Sequence, residues 1–401
     1  MMMTRKRIYL APVSISVALA LFLAYKYALT QKAISTAAHA AQKTVPQEKL
    51  LAHVENGFID KTGTLAIKVS GRFHGKFSDG LARVWMPVKG NNGETDKWGY
   101  IDATGRLVIP PTYDWALPFS DGLAAVNLGG QTSDYLFVRG ADYAWAKIQG
   151  GKWVFIDKKG KVLIETPYTE VHSFHDGLAP VKSDDKWGYI DKAGKIVVSP
   201  EFEQAGEFSD GMGAVLLGHK WGFIDKSGKQ VVEPKYSSRI ELMGGQIVMG
   251  VGFSEGLAWV DKGNKWGVID SSGTFVIEPQ YDEFGRDFKD GLSSVKIKGK
   301  RCVIDKSGKV ISETAYDDIS EFSEGIASFR KDKKWGAIDK SGKVVIKPQF
   351  DNLFSFSQGL AAVGVGQFGG TTGYIDNSGA WVIQPQAFGD AWEFQKVYFG
   401  K

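Results

Sequence analysis

The sequence predicts an all-β fold built as a tandem array, on three observations. An Ile-Asp pair recurs nine times, with its aspartate at Asp60, Asp102, Asp157, Asp191, Asp225, Asp270, Asp305, Asp339 and Asp376. A Phe-x-[Asp/Glu/Gln]-Gly motif interleaves with it, its glycines at Gly80, Gly122, Gly177, Gly211, Gly256, Gly291, Gly325 and Gly359. The segments between alternate apolar and polar residues with the period of a strand. The two landmarks keep fixed offsets over most of the chain, as from Asp157 to Gly177 and Asp191 to Gly211, and from Gly177 to Asp191 and Gly211 to Asp225. The minimal unit is therefore about 34 residues, within the range of known repeat arrays. A fixed period of this length overrides the two or three domains that 401 residues would otherwise suggest.

Each element of the unit follows from its residues, as in "KWGYIDKAGKIVVSPEF" (186–202). "WGYID" reads as a strand, with Trp187, Tyr189 and Asp191 on one face and Gly188 and Ile190 on the other. "DKAG" reads as a tight turn: the carboxylate caps backbone N–H groups and the glycine takes positive φ. "KIVVSP" is a second strand, which Pro200 is expected to end. "FHDGLAPV" (174–181) turns into a third strand. One such unit is too small to stand alone, so the Trp, the Phe of the Asp-Gly turn and the aromatic after the Pro are expected to pack on a neighbouring unit. The Gly after the Trp is expected to admit a close approach by another backbone or ring. The Trp position is filled at Trp98, Trp153, Trp187, Trp221, Trp266 and Trp335, is lost in the first and last units, and reads Arg301-Cys302 in one internal unit. That junction is expected either to be looser or to stack Arg301 where the indole would lie. The array is expected to be an open, twisted β-solenoid-like superhelix of about nine three-stranded units. A closed ring resembling a β-propeller is the alternative, because three strands and about 34 residues fall short of a usual propeller blade.

"KWGYIDKAGKIVVSPEFEQAGEFSDGMGAV" (186–215) resembles the bacterial WG, or KWG, repeat. The resemblance runs from about position 50 to the C-terminus in nine copies. It implies an all-β repeat array that serves as an interaction or scaffold module, and it implies no shared catalytic residue set; no cofactor is expected.

The N-terminus differs in character. Arg5, Lys6 and Arg7 precede an uncharged stretch that runs from Ile8 to Tyr25. Its length, about 18 residues, suits a membrane-spanning helix and exceeds a usual signal-peptide core. Residues 1–29 are therefore read as a signal anchor, 30–49 as a tether and 50–401 as the array. The basic flank places the N-terminus in the cytoplasm and the array in the periplasm, anchored in the inner membrane. Cleavage near "AAHAAQ" (37–42), giving a secreted or periplasmic protein, is the alternative. Seven basic and one acidic side chain lie within 1–49, so the array itself carries 42 basic and 44 acidic groups and has no excess to draw nucleic acid. The single cysteine, Cys302, excludes an intramolecular disulfide.

Chemical motifs are few. "GFSEG" (252–256) matches a nucleophile elbow, but Ser254 fills a slot that Ser78, Ser120, Ser209, Ser323 and Ser357 also fill. "HSFH" (172–175) has a metal-like spacing without an evident third ligand. The repeated aspartates lack the further oxygen ligands of a calcium loop. No catalytic residue, metal site or phosphate-binding loop is expected; a hydrolase would need two carboxylates converging about 5–10 Å apart. The insertions are more informative. "WMPVKGNNGETDK" (85–97) and "NLGGQTSDYLFVRGADYAWAKIQGGK" (127–152) fall at the same position of successive units, so they are expected to project from one side, where binding concentrates. Trp85, Tyr135, Phe137, Tyr143 and Trp145 are the candidate ligand-binding residues, being aromatic and outside the Trp-Gly slot. Trp259 also lies outside that slot and reads as free for another role. The expected function is an exported scaffold for an envelope protein, or a module that stacks aromatics on a glycan.

Overall fold

The computed structural model describes residues 47–54, 57–69, 73–90, 93–137, 144–237, 242–243, 246–247, 252–312, 316–366, 371–387 and 391–399. The hydrophobic helix expected within 1–29 lies outside them. Among the described residues every regular element is a β-strand, and no helix is long and apolar enough to cross a membrane.

The array is a closed β-propeller, which overturns the open superhelix. Nine sheets each carry one of the nine Asp turns, and we number these blades 1 to 9 from Asp60 to Asp376. A regular blade has four antiparallel strands. In blade 4 these are Glu170–Val171, Leu178–Ser183, Lys186–Asp191 and Ile196–Phe202, paired in that order. The first strand is too short to show a period of its own, and for that reason the unit reads as three-stranded in sequence. Blade 1 closes the ring. Its first strand comes from the other end of the chain: Ala391–Phe399 pairs with Gln47–Val54. The two units that lack the repeat Trp are thus neighbours rather than caps. Ala52, Val54 and Ile59 of blade 1 share a core with Leu360, Ala362, Tyr374 and Ile383 of blade 9.

Each core lies between blades. Leu178, Trp187, Tyr189 and Phe202 of blade 4 pack with Ala205, Phe208 and Val215 of blade 5. The repeat letters explain the contact. The third residue of Trp-Gly-Tyr meets the Phe of the next blade's Asp-Gly turn: Tyr100 with Phe119 at 4.8 Å, Tyr189 with Phe208 at 5.0 Å, Phe223 with Phe253 at 4.9 Å between ring centroids. Aromatic pairs of this kind add about 0.5–1.5 kcal/mol beyond the area they bury. Within a blade the Trp opposes the aromatic after the Pro, as Trp187 opposes Phe202.

Pro200 does not end its strand. It sits inside Ile196–Phe202, at a register shift between Trp187 and Tyr189. Pro is tolerated there because the bulged backbone needs no N–H for the ladder. Gly188 makes the bulge possible: a Cβ on it would lie 2.4 Å from the Val198 carbonyl oxygen. Gly99, Gly222, Gly267 and Gly336 stand in the same relation to their fourth strands. Blade 7 has Cys302 here, and among the described residues its sheet keeps two strands, Leu292–Ile297 and Lys300–Asp305.

Two kinds of turn lie at one end of the sheets. The third-to-fourth-strand turn is capped as expected: Asp191 Oδ1 accepts the N–H groups of Ala193 and Lys195, both at 2.9 Å. The first-to-second-strand turn is a two-residue hairpin with both residues left-handed, such as Asp121 at φ 55° and Gly122 at φ 86°. These turns link the blades. Gly122 N–H donates to Asp79 Oδ2 at 2.6 Å, Gly177 to Asp121 at 2.7 Å, and Gly211 to Asp176 at 2.8 Å. The series continues through Asp210, Glu255, Asp290 and Glu324. Gln358 takes the acid's place in blade 9, and there Lys61 Nζ of blade 1 donates to the Gln358 carbonyl at 3.0 Å. An acid-to-glycine belt therefore runs along one face, and the second-to-third-strand loops emerge at the other.

Candidate functional site

The face opposite the belt carries the two insertions, both between the second and third strands of adjoining blades. In blade 4 that hairpin closes at Ser183 opposite Lys186. In blade 2, Leu81–Gly90 and Gly93–Asp102 stay paired to Gly90 opposite Gly93, four pairs further. At about 3.4 Å per residue the arm extends roughly 14 Å beyond its counterpart. In blade 3 the insertion forms its own hairpin, Gln131–Phe137 with Ala144–Gln149, which the register pairs from Gln131–Gln149 to Phe137–Ala144.

The base of the blade 2 arm is an aromatic stack. Trp85 is half-buried on Trp98, centroids 6.1 Å apart, and Trp98 meets Trp115 of blade 3 edge-on at 5.5 Å. Arg83, which is 2% exposed, lies over the Trp98 ring at 5.0 Å and donates from Nη1 to the Ala116 carbonyl at 2.9 Å. Lys97 of the arm pairs with Asp114, whose other oxygen accepts the Gly129 N–H at 2.7 Å. The arm and the blade 3 hairpin are thereby tied at their bases.

Of the candidate residues, Trp85 is part of this stack. Tyr135, Phe137 and Trp145 lie on the two strands of the blade 3 hairpin, with Tyr135 opposite Ala146 and Trp145 opposite Leu136. Tyr143 lies outside the described residues. Trp259 is a correction. It is 3% exposed, donates from Nε1 to the Arg286 carbonyl at 3.0 Å and stacks on Phe288 of the next blade at 6.1 Å. It shares a strand position with Arg83, and a comparison of repeat slots would have flagged both as inter-blade groups.

The other motifs resolve into structure. Ser254 Oγ donates to the Phe288 carbonyl at 2.8 Å, as Ser78 does to Phe119 and Ser209 to Phe253. His175 Nε2 lies 3.5 Å from Ser120 Oγ and 3.2 Å from Glu207 Oε2. Both contacts fall on one ring nitrogen, whereas a Ser-His-acid relay uses the two opposite nitrogens. His172 packs against Trp187 at 4.7 Å, and burial holds its imidazole below the ordinary histidine range. Among the described residues no group of three or more His, Cys, Asp or Glu side chains could hold a metal ion. Cys302 is half-buried, and burial pushes its thiol up.

Comparison with known proteins agrees with the repeat. A family model described as "WG containing repeat" matches at residues 98–131, 155–187, 187–221, 221–238, 251–266, 266–300, 303–335, 335–367 and 373–396. The chain belongs to the WG-repeat family. No curated protein matches this WG-repeat chain. Among solved structures, a eukaryotic initiation factor superposes with a TM-score of 0.59 at 11% identity, covering 88% of this chain and 99% of that one. The dihydro-heme d1 dehydrogenase NirN, in complex with DHE, gives 0.44 at 12% identity, covering 87% and 75%. A puromycin hydrolase gives 0.33 at 11% identity, covering 78% and 53%. At these identities the first likeness speaks to fold alone.

Proposed function

We propose that this WG-repeat propeller is a protein-binding scaffold of the bacterial cell envelope, and that it engages its partner through the arms of blades 2 and 3. One observation carries the reading: the repeat side chains are used up in holding the ring together, while the two arms extend as paired hairpins past the loops of a regular blade. The slot tryptophans are buried, with Trp335 half-buried, and the turn acids are taken by the belt. Paired β-arms on a rigid ring present backbone and side chains at little ordering cost, which favours recognition of another folded surface. The N-terminal apolar stretch would hold the ring at the inner membrane, with the propeller in the periplasm.

The test is capture from an envelope extract by the detergent-solubilised full chain. Wild type is compared with a form in which residues 131–148 are replaced by a short Gly-Ser turn, circular dichroism showing that both fold. A protein retained by wild type and lost with the arm is the expected result. Equal capture by both forms, or capture of glycan alone, would overturn the proposal.

A further inference from the structure

The junction of blades 7 and 8 departs from the others in a way that points to a ligand. At two other junctions the slot Trp meets an aromatic of the next blade: Trp98 meets Trp115, and Trp266 meets Phe284 at 5.4 Å. At this junction the same two positions are Arg301 and Asp318, with Nε 3.5 Å from Oδ1. A second guanidinium converges on that oxygen. Arg286 places Nη2 3.4 Å from Asp318 Oδ1 and donates from Nε to the Ile319 carbonyl at 2.7 Å. Two arginines thus share one carboxylate oxygen, and that oxygen also accepts the Ile319 N–H at 2.9 Å.

The register puts further groups on the same face. Lys296 is opposite Arg301, and Ser294 opposite Val303, so Ser294 is a diagonal neighbour of Arg301. Such neighbours lie roughly 7–8 Å apart at the backbone, within reach of a long side chain. Arg286 N–H donates to the Ser294 carbonyl at 3.0 Å, which brings the other arginine alongside. Ser294 is 2% exposed and occupies the position where Arg83 and Trp259 bridge other junctions. Among the described residues, Ser294 Oγ and Arg301 Nη1 are buried and meet no hydrogen-bond partner. Buried donors are nearly always satisfied, and an orphan in a native fold asks for a ligand, ion or water. Lys296 is itself paired to Glu283 at 2.7 Å. Two guanidiniums converge on one aspartate oxygen, with Glu283 and Glu321 also in electrostatic reach, and two donors remain unspent.

We propose that the blade 7–8 junction binds a small oxyanion, which accepts hydrogen bonds from Arg301 Nη1 and Ser294 Oγ and is charge-balanced by the Arg286–Arg301 pair. Guanidinium forks match the oxygens of a carboxylate or of a tetrahedral anion. The proximity of Arg286 and the burial of Arg301 favour an anion over water at this place.

The test is calorimetric titration of the full chain with sulfate, phosphate or acetate, with chloride setting a constant ionic strength. A saturable one-to-one isotherm is expected for at least one of them, and the melting temperature should rise by about 2 °C per tenfold increase in that anion once the site is saturating. Arg301→Gln should weaken binding at least about tenfold, and Ser294→Ala by less, in line with loss of a charged and a neutral donor. Because Arg301→Gln could unsettle the blade, the double variant Arg301→Trp, Asp318→Phe installs the aromatic pair seen at the blade 2–3 and blade 6–7 junctions; it should fold and give no isotherm. Acetate alone would identify a carboxylate ligand, and sulfate or phosphate alone a tetrahedral one. Absence of any saturable heat, or equal anion effects on wild type and the double variant, would overturn the proposal.

Discussion

Blades 4 and 7 follow the same repeat template and solve it differently. In blade 4, Trp187 is 2% exposed, Gly188 admits the bulged fourth strand, and Tyr189 reaches Phe208 of the next blade. Blade 7 puts Arg301 and Cys302 at the first two positions. The cysteine Cβ stands where the fourth strand would approach, and among the described residues the sheet keeps two strands. What remains of the outer edge is stitched by the Arg301–Tyr316 and Ile304–Val310 bridges and by Ser312 Oγ, which accepts the Val303 N–H at 3.0 Å. The pair shows which repeat letters the ring needs. Val303 and Ile304 stay fully buried and the Asp305 turn is intact, so the junction tolerates loss of the indole but keeps the inner half of the sheet.

The widest separation between the two blades should come from their slot residues. Trp187→Ala removes a buried indole from a shared core and should cost about 3–5 kcal/mol of unfolding free energy in urea titration. Arg301→Ala, at a half-buried ion pair, should cost about 1 kcal/mol. Equal losses would mean that the Trp slot is not what distinguishes the junctions. The glycine position gives a smaller contrast. Gly188→Ala forces a Cβ against the Val198 carbonyl and should destabilise by about 1–3 kcal/mol, with local loss of fourth-strand protection in hydrogen exchange. Cys302→Gly should change stability by about 1 kcal/mol or less, since among the described residues no fourth strand is paired there.

The least effect is expected at the turns, which the two blades share. Ser227 Oγ donates to Asp225 Oδ1 at 2.6 Å and holds that carboxyl below the ordinary range. Ser272, Ser307, Ser341 and Ser378 do the same for Asp270, Asp305, Asp339 and Asp376. A carboxyl depressed on folding stabilises the fold above its unfolded value and loses that contribution as pH falls towards the folded one. The melting temperature should therefore hold above about pH 5 and decline below about pH 4. Ser227→Ala should move the Asp225 titration, followed by NMR, upward towards an ordinary aspartate. An unmoved midpoint would show that the backbone N–H groups alone set it.

Most of the blade was legible in the residues. The strands around Trp187, the capped turn at Asp191, the inter-blade packing of Phe208 and the close approach at Gly188 all follow from local patterns. The closure was not. Ala391–Phe399 forms a strand, but nothing local says that its partner is Gln47–Val54. The short first strands, such as Glu170–Val171, are shorter than any period. At the candidate site, the arms were legible as insertions at one position of the repeat. The burial of Trp259 was not, because its environment is made by Phe288 of the following blade. The same holds for Arg301, whose partner Asp318 sits on a strand too short to recognise.

Ring closure also sets an order of events during synthesis. Gln47–Val54 leaves the ribosome long before Ala391–Phe399, the strand that covers its edge. At about 5–20 residues per second, that edge waits roughly 20–70 s with its N–H and C=O groups unpaired. Eight blades can assemble on one another meanwhile, but the first remains a sticky template until the last strand arrives. A nascent chain of this design has reason to keep a chaperone or translocation partner on its first blade until it is complete.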